Sequence, residues 1–156
     1  MTSTARPWTS PLSTATWLTA LLLAVALVAT TALAQSVAPI GGRWRTEDGR
    51  AVIAIGPCTT GGAAMCGRIS RFLVPEPAGG ALDGNNPDRA LRSRPLLGAA
   101  ILTNLTPRGG AWHGRGYSPA DGRNFNATVT LLVGDRLRVR GCVAVFCRTQ
   151  VWTRAS

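Results

Sequence analysis

The chain has 156 residues, 17 Lys plus Arg against 7 Asp plus Glu, and a net charge of +10. All of those cations are Arg; the sequence has no Lys. A lone histidine and four cysteines leave little material for a nucleophile–base or metal centre, and no glycine loop of the phosphate-cradling kind is present to support nucleotide chemistry.

The first 34 residues read as a secretory leader. A short basic region carries Arg6, an apolar run extends from Trp17 to Val28, and Ala32-Leu33-Ala34 ends it as a small-x-small cleavage triplet before Gln35. The competing reading is an uncleaved anchor, because Ala15 to Leu33 is long enough to cross a bilayer. Its Ala and Thr content, and the lack of a basic stop-transfer cluster after it, favour cleavage near Ala34. No Cys stands at the cleavage point, which excludes a lipoprotein anchor. The expected organisation is a signal peptide over 1–34 and one domain over 35–156, periplasmic or secreted. Such a domain buries roughly two-thirds of the surface its unfolded chain exposes. Cleavage removes Arg6 alone, so the mature charge is +9, one less than that of the whole chain. Export argues against nucleic acid as the partner of this charge. Its all-Arg character in a chain rich in Ala, Gly and Pro makes it partly compositional.

Beyond Gln35, turn signals recur at short intervals: Glu47-Asp48-Gly49, Gly56-Pro57, Pro107 to Gly110, Pro119-Ala120-Asp121-Gly122 and Gly134-Asp135. The runs between them are rich in Val, Ile, Leu, Thr and Trp, the pattern of antiparallel hairpins. Strands are expected near 42–46, 50–55, 65–73, 99–106, 111–117, 124–133, 136–142 and 147–154. The one long interruption is Pro75 to Leu97, within which Pro87 to Arg92 fits a single helical turn with Pro at its first position. Strict alternation in Asn124–Leu131 and Arg136–Cys142 gives each of those strands one buried and one wet face. Eight short strands joined by tight turns predict an all-β, closed up-and-down barrel, with a two-sheet sandwich as the alternative.

Cys58, Cys66, Cys142 and Cys147 are an even set in a small exported domain, so disulfides are expected. Proximity favours Cys58–Cys66 and Cys142–Cys147, each contributing about 2 kcal/mol less any strain. A four-thiolate zinc site is the competitor, but no C-x-x-C occurs. A bonded Cys142–Cys147 fixes the register of the last hairpin: Arg140 faces Thr149, Arg138 faces Val151, Arg136 faces Thr153, Val139 faces Gln150 and Leu137 faces Trp152. The stripe Arg136, Arg138 and Arg140 then lies outside, whereas Trp152, Arg148 and Gln150 belong to the inner face. The connecting Val143-Ala144-Val145-Phe146 is unusually apolar. Its expected place is folded over one barrel end, the alternative being a contact surface.

The order of short motifs resembles one family. Gly42-Arg43-Trp44-Arg45-Thr46-Glu47-Asp48-Gly49 is followed by Cys66-Gly67-Arg68-Ile69, Leu82-Asp83 and Asn86-Pro87-Asp88. Arg94-Pro95-Leu96-Leu97-Gly98, Trp112 with Gly114, and Tyr117-x-Pro119-x-Asp121-Gly122 come next. Arg138-Val139-Arg140-Gly141 and Thr149-Gln150-Val151-Trp152-Thr153-Arg154 complete the string. It resembles the domain of unknown function 2147 family of exported bacterial proteins over essentially the whole mature chain. The resemblance implies a lipocalin-like barrel and an envelope location. Gly42-x-Trp44 also looks like the opening signature of lipocalins, which implies that Trp44 closes one barrel end under an arginine. Here that arginine is Arg154 or Arg148.

Catalytic readings find few residues. His113 has no acidic neighbour in sequence, no Gly-x-Ser-x-Gly elbow is present, and oxidised cysteines are not nucleophiles. Asp83, Asn85, Asn86 and Asp88 cluster four oxygen-bearing side chains, but their spacing is not that of an EF-hand; Asx-turns and an Asp–Arg contact account for them. The expectation is an exported envelope protein, not an enzyme, with no metal or cofactor, binding a small apolar ligand in the barrel with Arg148, Gln150 and Trp152 as ligand contacts. The alternative is a non-enzymatic interaction protein that meets anionic lipid, lipopolysaccharide or a protein through the outer arginines and the 143–146 tip.

Overall fold

The structure, a computed structural model, describes residues 37–156; the expected leader over 1–34 lies outside the described residues. The alternating runs and their turns build eight antiparallel strands: β1 (Gly42–Arg45), β2 (Ala51–Pro57), β3 (Met65–Phe72), β4 (Ala100–Arg108), β5 (Ala111–Ser118), β6 (Arg123–Leu132), β7 (Arg136–Val143) and β8 (Phe146–Arg154). Each pairs with its chain neighbours. β8 returns to β1, with Trp44 opposite Arg154 and Arg45 opposite Thr153, so the sheet is a closed up-and-down barrel and not a sandwich. Closure leaves no strand with an unpaired edge.

The pairing of β7 with β8 is the one that the Cys142–Cys147 bond dictates: Arg140 opposite Thr149, Val139 opposite Gln150, Leu137 opposite Trp152. Consequently Leu137 and Val139 are buried while Arg136, Arg138 and Arg140 are exposed. β4 departs from simple alternation. Leu102 and Leu105 are three apart, out of phase for a regular strand, yet both are buried. Asn104 takes a φ of 52° and the register shifts between Thr103 and Thr106. This bulge inserts one residue and turns Leu105 back to the interior.

The long connection between β3 and β4 folds on itself through a bridge between Leu82 and Pro95. Its single 3₁₀ turn, Arg89–Leu91, is capped by Asp88, whose carboxylate accepts from the Ala90 amide. Pro87 therefore precedes the cap and does not occupy the first helical position. The physical reason is that the extended Asp88 has an acceptor for the free amide and so takes the capping role.

Up-and-down connectivity sorts the turns to two ends. The β2–β3, β4–β5 and β6–β7 hairpins share one end with residues 37–41 and the C-terminus. The β1–β2, β5–β6 and β7–β8 hairpins share the other with the long connection. Trp44, Ile40, Leu105, Val129 and Leu137, all fully buried, fill the first end. Both disulfides form, Cys58–Cys66 beside the β2–β3 hairpin and Cys142–Cys147 across the β7–β8 hairpin. All four thiols are thereby committed, and the zinc alternative is not adopted.

Candidate functional site

At the filled end, two tryptophans anchor the segment that leads into β1. The Trp44 indole N–H donates to the Ile40 carbonyl at 2.9 Å, and the Trp112 indole N–H donates to the Ala38 carbonyl at 2.9 Å. Arg154 covers Trp44 with its guanidinium carbon 4.1 Å from the ring centroid. It also donates to the Gly41 carbonyl at 3.1 Å and pairs with Asp135 at 3.2 Å. Gly42 has a φ of +123°, and a Cβ there would overlap the Arg154 guanidinium. The Gly-x-Trp spacing thus has a local cause: glycine leaves space for the cation that roofs the tryptophan. Of the two arginines considered for that role, Arg154 is the one on Trp44; Arg148 lies at the opposite end.

The other end is open. A cavity of about 960 Å³ runs into the barrel there. Its inner wall is apolar, formed by Ile53, Ile69, Leu102, Phe125, Val139 and Trp152. The Phe125 ring lies over Gly116 of β5 and Gly141 of β7, the strands on either side of its own, where a Cβ would overlap it. Nearer the mouth the lining turns polar and cationic, with Arg50, Arg123, Arg148 and Gln150 accompanied by Asp48 and Asp121. The Asp48 carboxylate is engaged locally, accepting from the Thr46 hydroxyl at 2.6 Å and the Arg50 amide at 3.0 Å. Gln150 accepts from the Trp152 indole N–H at 2.8 Å. That bond fixes the amide orientation at the boundary between the apolar wall and the cationic rim. Among the described residues the ion pairs are Arg94–Asp83 and Arg154–Asp135. Arg50, Arg123 and Arg148 thus face the mouth without a carboxylate partner.

The Val143–Phe146 tip stands at this mouth but does not cover it. Val145 is 85% and Phe146 80% exposed. The expectation of a tip folded over the barrel end is corrected. The Cys142–Cys147 bond and the directly facing Val143 and Phe146 keep the two arms paired to the last residues before the turn, so the hairpin continues as an extended ladder.

A polar cluster braces the open end from outside. Asp83, fully buried, pairs with Arg94 at 2.8 Å and accepts from the Asn86 amide at 2.6 Å and from the Tyr117 hydroxyl. Burial opposes ionisation of Asp83, but the hydrogen bonds from Tyr117, Asn86 and Arg94 outweigh it and hold its pKa below the ordinary carboxylate value. Burial and the neighbouring Asp83 carboxylate push the Tyr117 hydroxyl up to about 12. Asn85 donates to the Pro119 and Ala120 carbonyls, which ties the same connection to the β5–β6 turn. The Asx-turn reading of this segment is what the hydrogen bonds display: Asn86 accepts from the Asp88 amide and Asp88 from the Ala90 amide. Tyr117 is the member that the sequence reading missed. Its signals were being the lone tyrosine of the chain and opening the Tyr117-x-Pro119-x-Asp121-Gly122 motif, neither of which names Asp83 as its partner. His113, half-buried on β5, has its Nδ1 3.4 Å from the Thr128 hydroxyl.

Comparison with known proteins supports the fold. Residues 42–154 match the family model described as an uncharacterized protein conserved in bacteria, DUF2147. No curated protein matches the chain. A solved protein of the human pathogen Helicobacter pylori, described as belonging to the lipocalin family, superposes with a TM-score of 0.65. The two are 17% identical, and the match covers 76% of this chain and 84% of the other. At that identity the likeness is one of fold: a lipocalin-like barrel, compatible with binding inside it.

Proposed function

The chain belongs to the DUF2147 family of uncharacterised bacterial proteins, and from that premise we propose that it is an exported, non-enzymatic envelope protein that binds a small amphiphilic molecule in its barrel. The observation that carries the reading is the gradient within the cavity. An apolar wall ending at Phe125 and Trp152 gives way to a mouth bearing Arg50, Arg123 and Arg148. Ligand sites are typically concave, mostly apolar and equipped with a few convergent polar groups, in volumes of roughly 300–1,000 Å³. In this arrangement the apolar body lies against Trp152 and Phe125. Arg148 and the oriented Gln150 hold a polar or anionic head at the rim, where a guanidinium makes charge-assisted hydrogen bonds. Export is supported by the leader-like sequence and by two disulfides, which persist in oxidising compartments.

Native mass spectrometry of the protein purified from its own host tests this. The expected result is a folded species carrying added mass that organic extraction removes. A bare protein that also takes up no apolar fluorescent probe would overturn the reading.

A further inference from the structure

The β7–β8 tip sets an apolar surface beside unpartnered cations. Isolated exposed apolar residues are normal on protein surfaces. Here Val143, Val145 and Phe146 fall within one hairpin tip and are 48, 85 and 80% exposed. The disulfide at its base ties the two arms of the hairpin together. Val143 and Phe146 line the cavity mouth together with Arg123 and Arg148, and Arg140 stands two residues below Cys142 on the outer face of the same hairpin. None of these three arginines has a carboxylate partner among the described residues.

Exposed apolar and aromatic side chains at a hairpin tip, with arginines close by, match the layering of a lipid surface. The apolar tip enters the acyl boundary while the guanidinium groups meet headgroup phosphates. We propose that the Val143–Phe146 tip docks on an anionic phospholipid bilayer, with Arg123, Arg140 and Arg148 on the headgroups, so that the cavity mouth faces the membrane. Docking in this way would let an amphiphile pass between bilayer and barrel, although the docking itself does not require the cavity to be occupied. Charge complementarity selects the anionic bilayer: the tip alone would suit any apolar surface, but the flanking cations favour phosphate.

The test is flotation of the disulfide-bonded protein, residues 35–156, with vesicles of phosphatidylcholine alone or mixed with phosphatidylglycerol. The expected result is binding to the anionic vesicles at least about tenfold tighter than to the neutral ones, weakening in high salt. V145S/F146S should reduce anionic-vesicle binding by at least about tenfold. R140Q should reduce it severalfold. Both variants alter exposed positions outside the core, and unchanged circular dichroism confirms their fold. Equal binding to both vesicle types, no binding to either, or binding insensitive to V145S/F146S would overturn the proposal. Tip-dependent self-association without vesicle binding would overturn it too, assigning the tip to a second copy of the chain. Vesicle binding by a protein that carries no ligand would leave the docking intact and remove the cavity reading, so the two fail separately.

Discussion

The two ends of this barrel are built from the same alternating strands and closed by opposite means. At one end Trp44, Leu105, Val129 and Leu137 are fully buried inside, and Arg154 covers them with a stacked guanidinium on Trp44. At the other, Gly116 and Gly141 clear room for Phe125 and the interior stays open to a cationic rim. Both ends carry a disulfide and both carry arginine. The difference lies in what the arginine meets: Arg154 has an aromatic face, a carbonyl and Asp135, whereas Arg148 has a cavity mouth. The same residue type is structural where its hydrogen-bonding capacity is filled by the chain, and is free for a ligand where it is not.

The comparison breaks most visibly at Trp44. Trp44→Ala removes a fully buried indole and the surface under Arg154, and should cost about 3–5 kcal/mol of unfolding free energy in urea titration. That is a large share of the stability of an ordinary domain. Ligand content per folded molecule should remain unchanged, since Trp44 does not line the cavity. A variant that loses ligand in proportion to stability would show that the two ends are not independent.

The brace at the open end gives an intermediate effect with a pH signature. Asp83→Asn keeps the side-chain shape but removes the charge facing Arg94 and should cost about 1.5–3 kcal/mol at neutral pH. In the unsubstituted protein the Asp83 pKa is depressed on folding, so its contribution is complete above the unfolded value of 3.8 and is lost as pH falls through the lower folded value. Tyr117 behaves in the opposite sense. Its contribution is complete below 10.0 and is lost as pH rises toward about 12. Unfolding curves at a series of pH values should therefore show weakening at both extremes, with the acid arm absent in Asp83→Asn. An acid arm that persists unchanged in that variant would assign it to other carboxylates.

How far these features were legible in the sequence follows from the range over which each is determined. The strands of β6 and β7 were readable because period-two alternation is local, and the β7–β8 register because Cys142 and Cys147 are close in sequence and bonded. The Asn104 bulge was not readable: nothing in the local sequence says that Leu105 must return to the interior, a demand set by the opposite walls of the barrel. The Tyr117–Asp83 contact spans 34 positions and depends on how the long connection lies against β5. The choice between Arg154 and Arg148 over Trp44 needed barrel closure, because they stand at opposite ends of β8 and only the β1–β8 pairing places Arg154 beside the indole.

Arg148 carries the smallest expected change in stability and the sharpest division between the ends. Its side chain is exposed at the mouth and has no hydrogen-bond or carboxylate partner among the described residues. Arg148→Ala should therefore alter unfolding free energy by no more than about 0.5 kcal/mol. The ligand should feel the change more strongly. A charge-assisted hydrogen bond to an anionic head is worth about 1.5–3 kcal/mol, corresponding to roughly a tenfold to hundredfold loss in retention. Arg148→Lys keeps the charge but not the planar fork, and should recover part of that loss if the head is a carboxylate or phosphate held by two oxygens. Arg154→Ala supplies the mirror measurement, lowering stability while leaving retention intact. If Arg148→Ala destabilises the fold as much as Arg154→Ala does and retention follows stability in both, the rim arginine is part of the scaffold and the open end has no separate binding role.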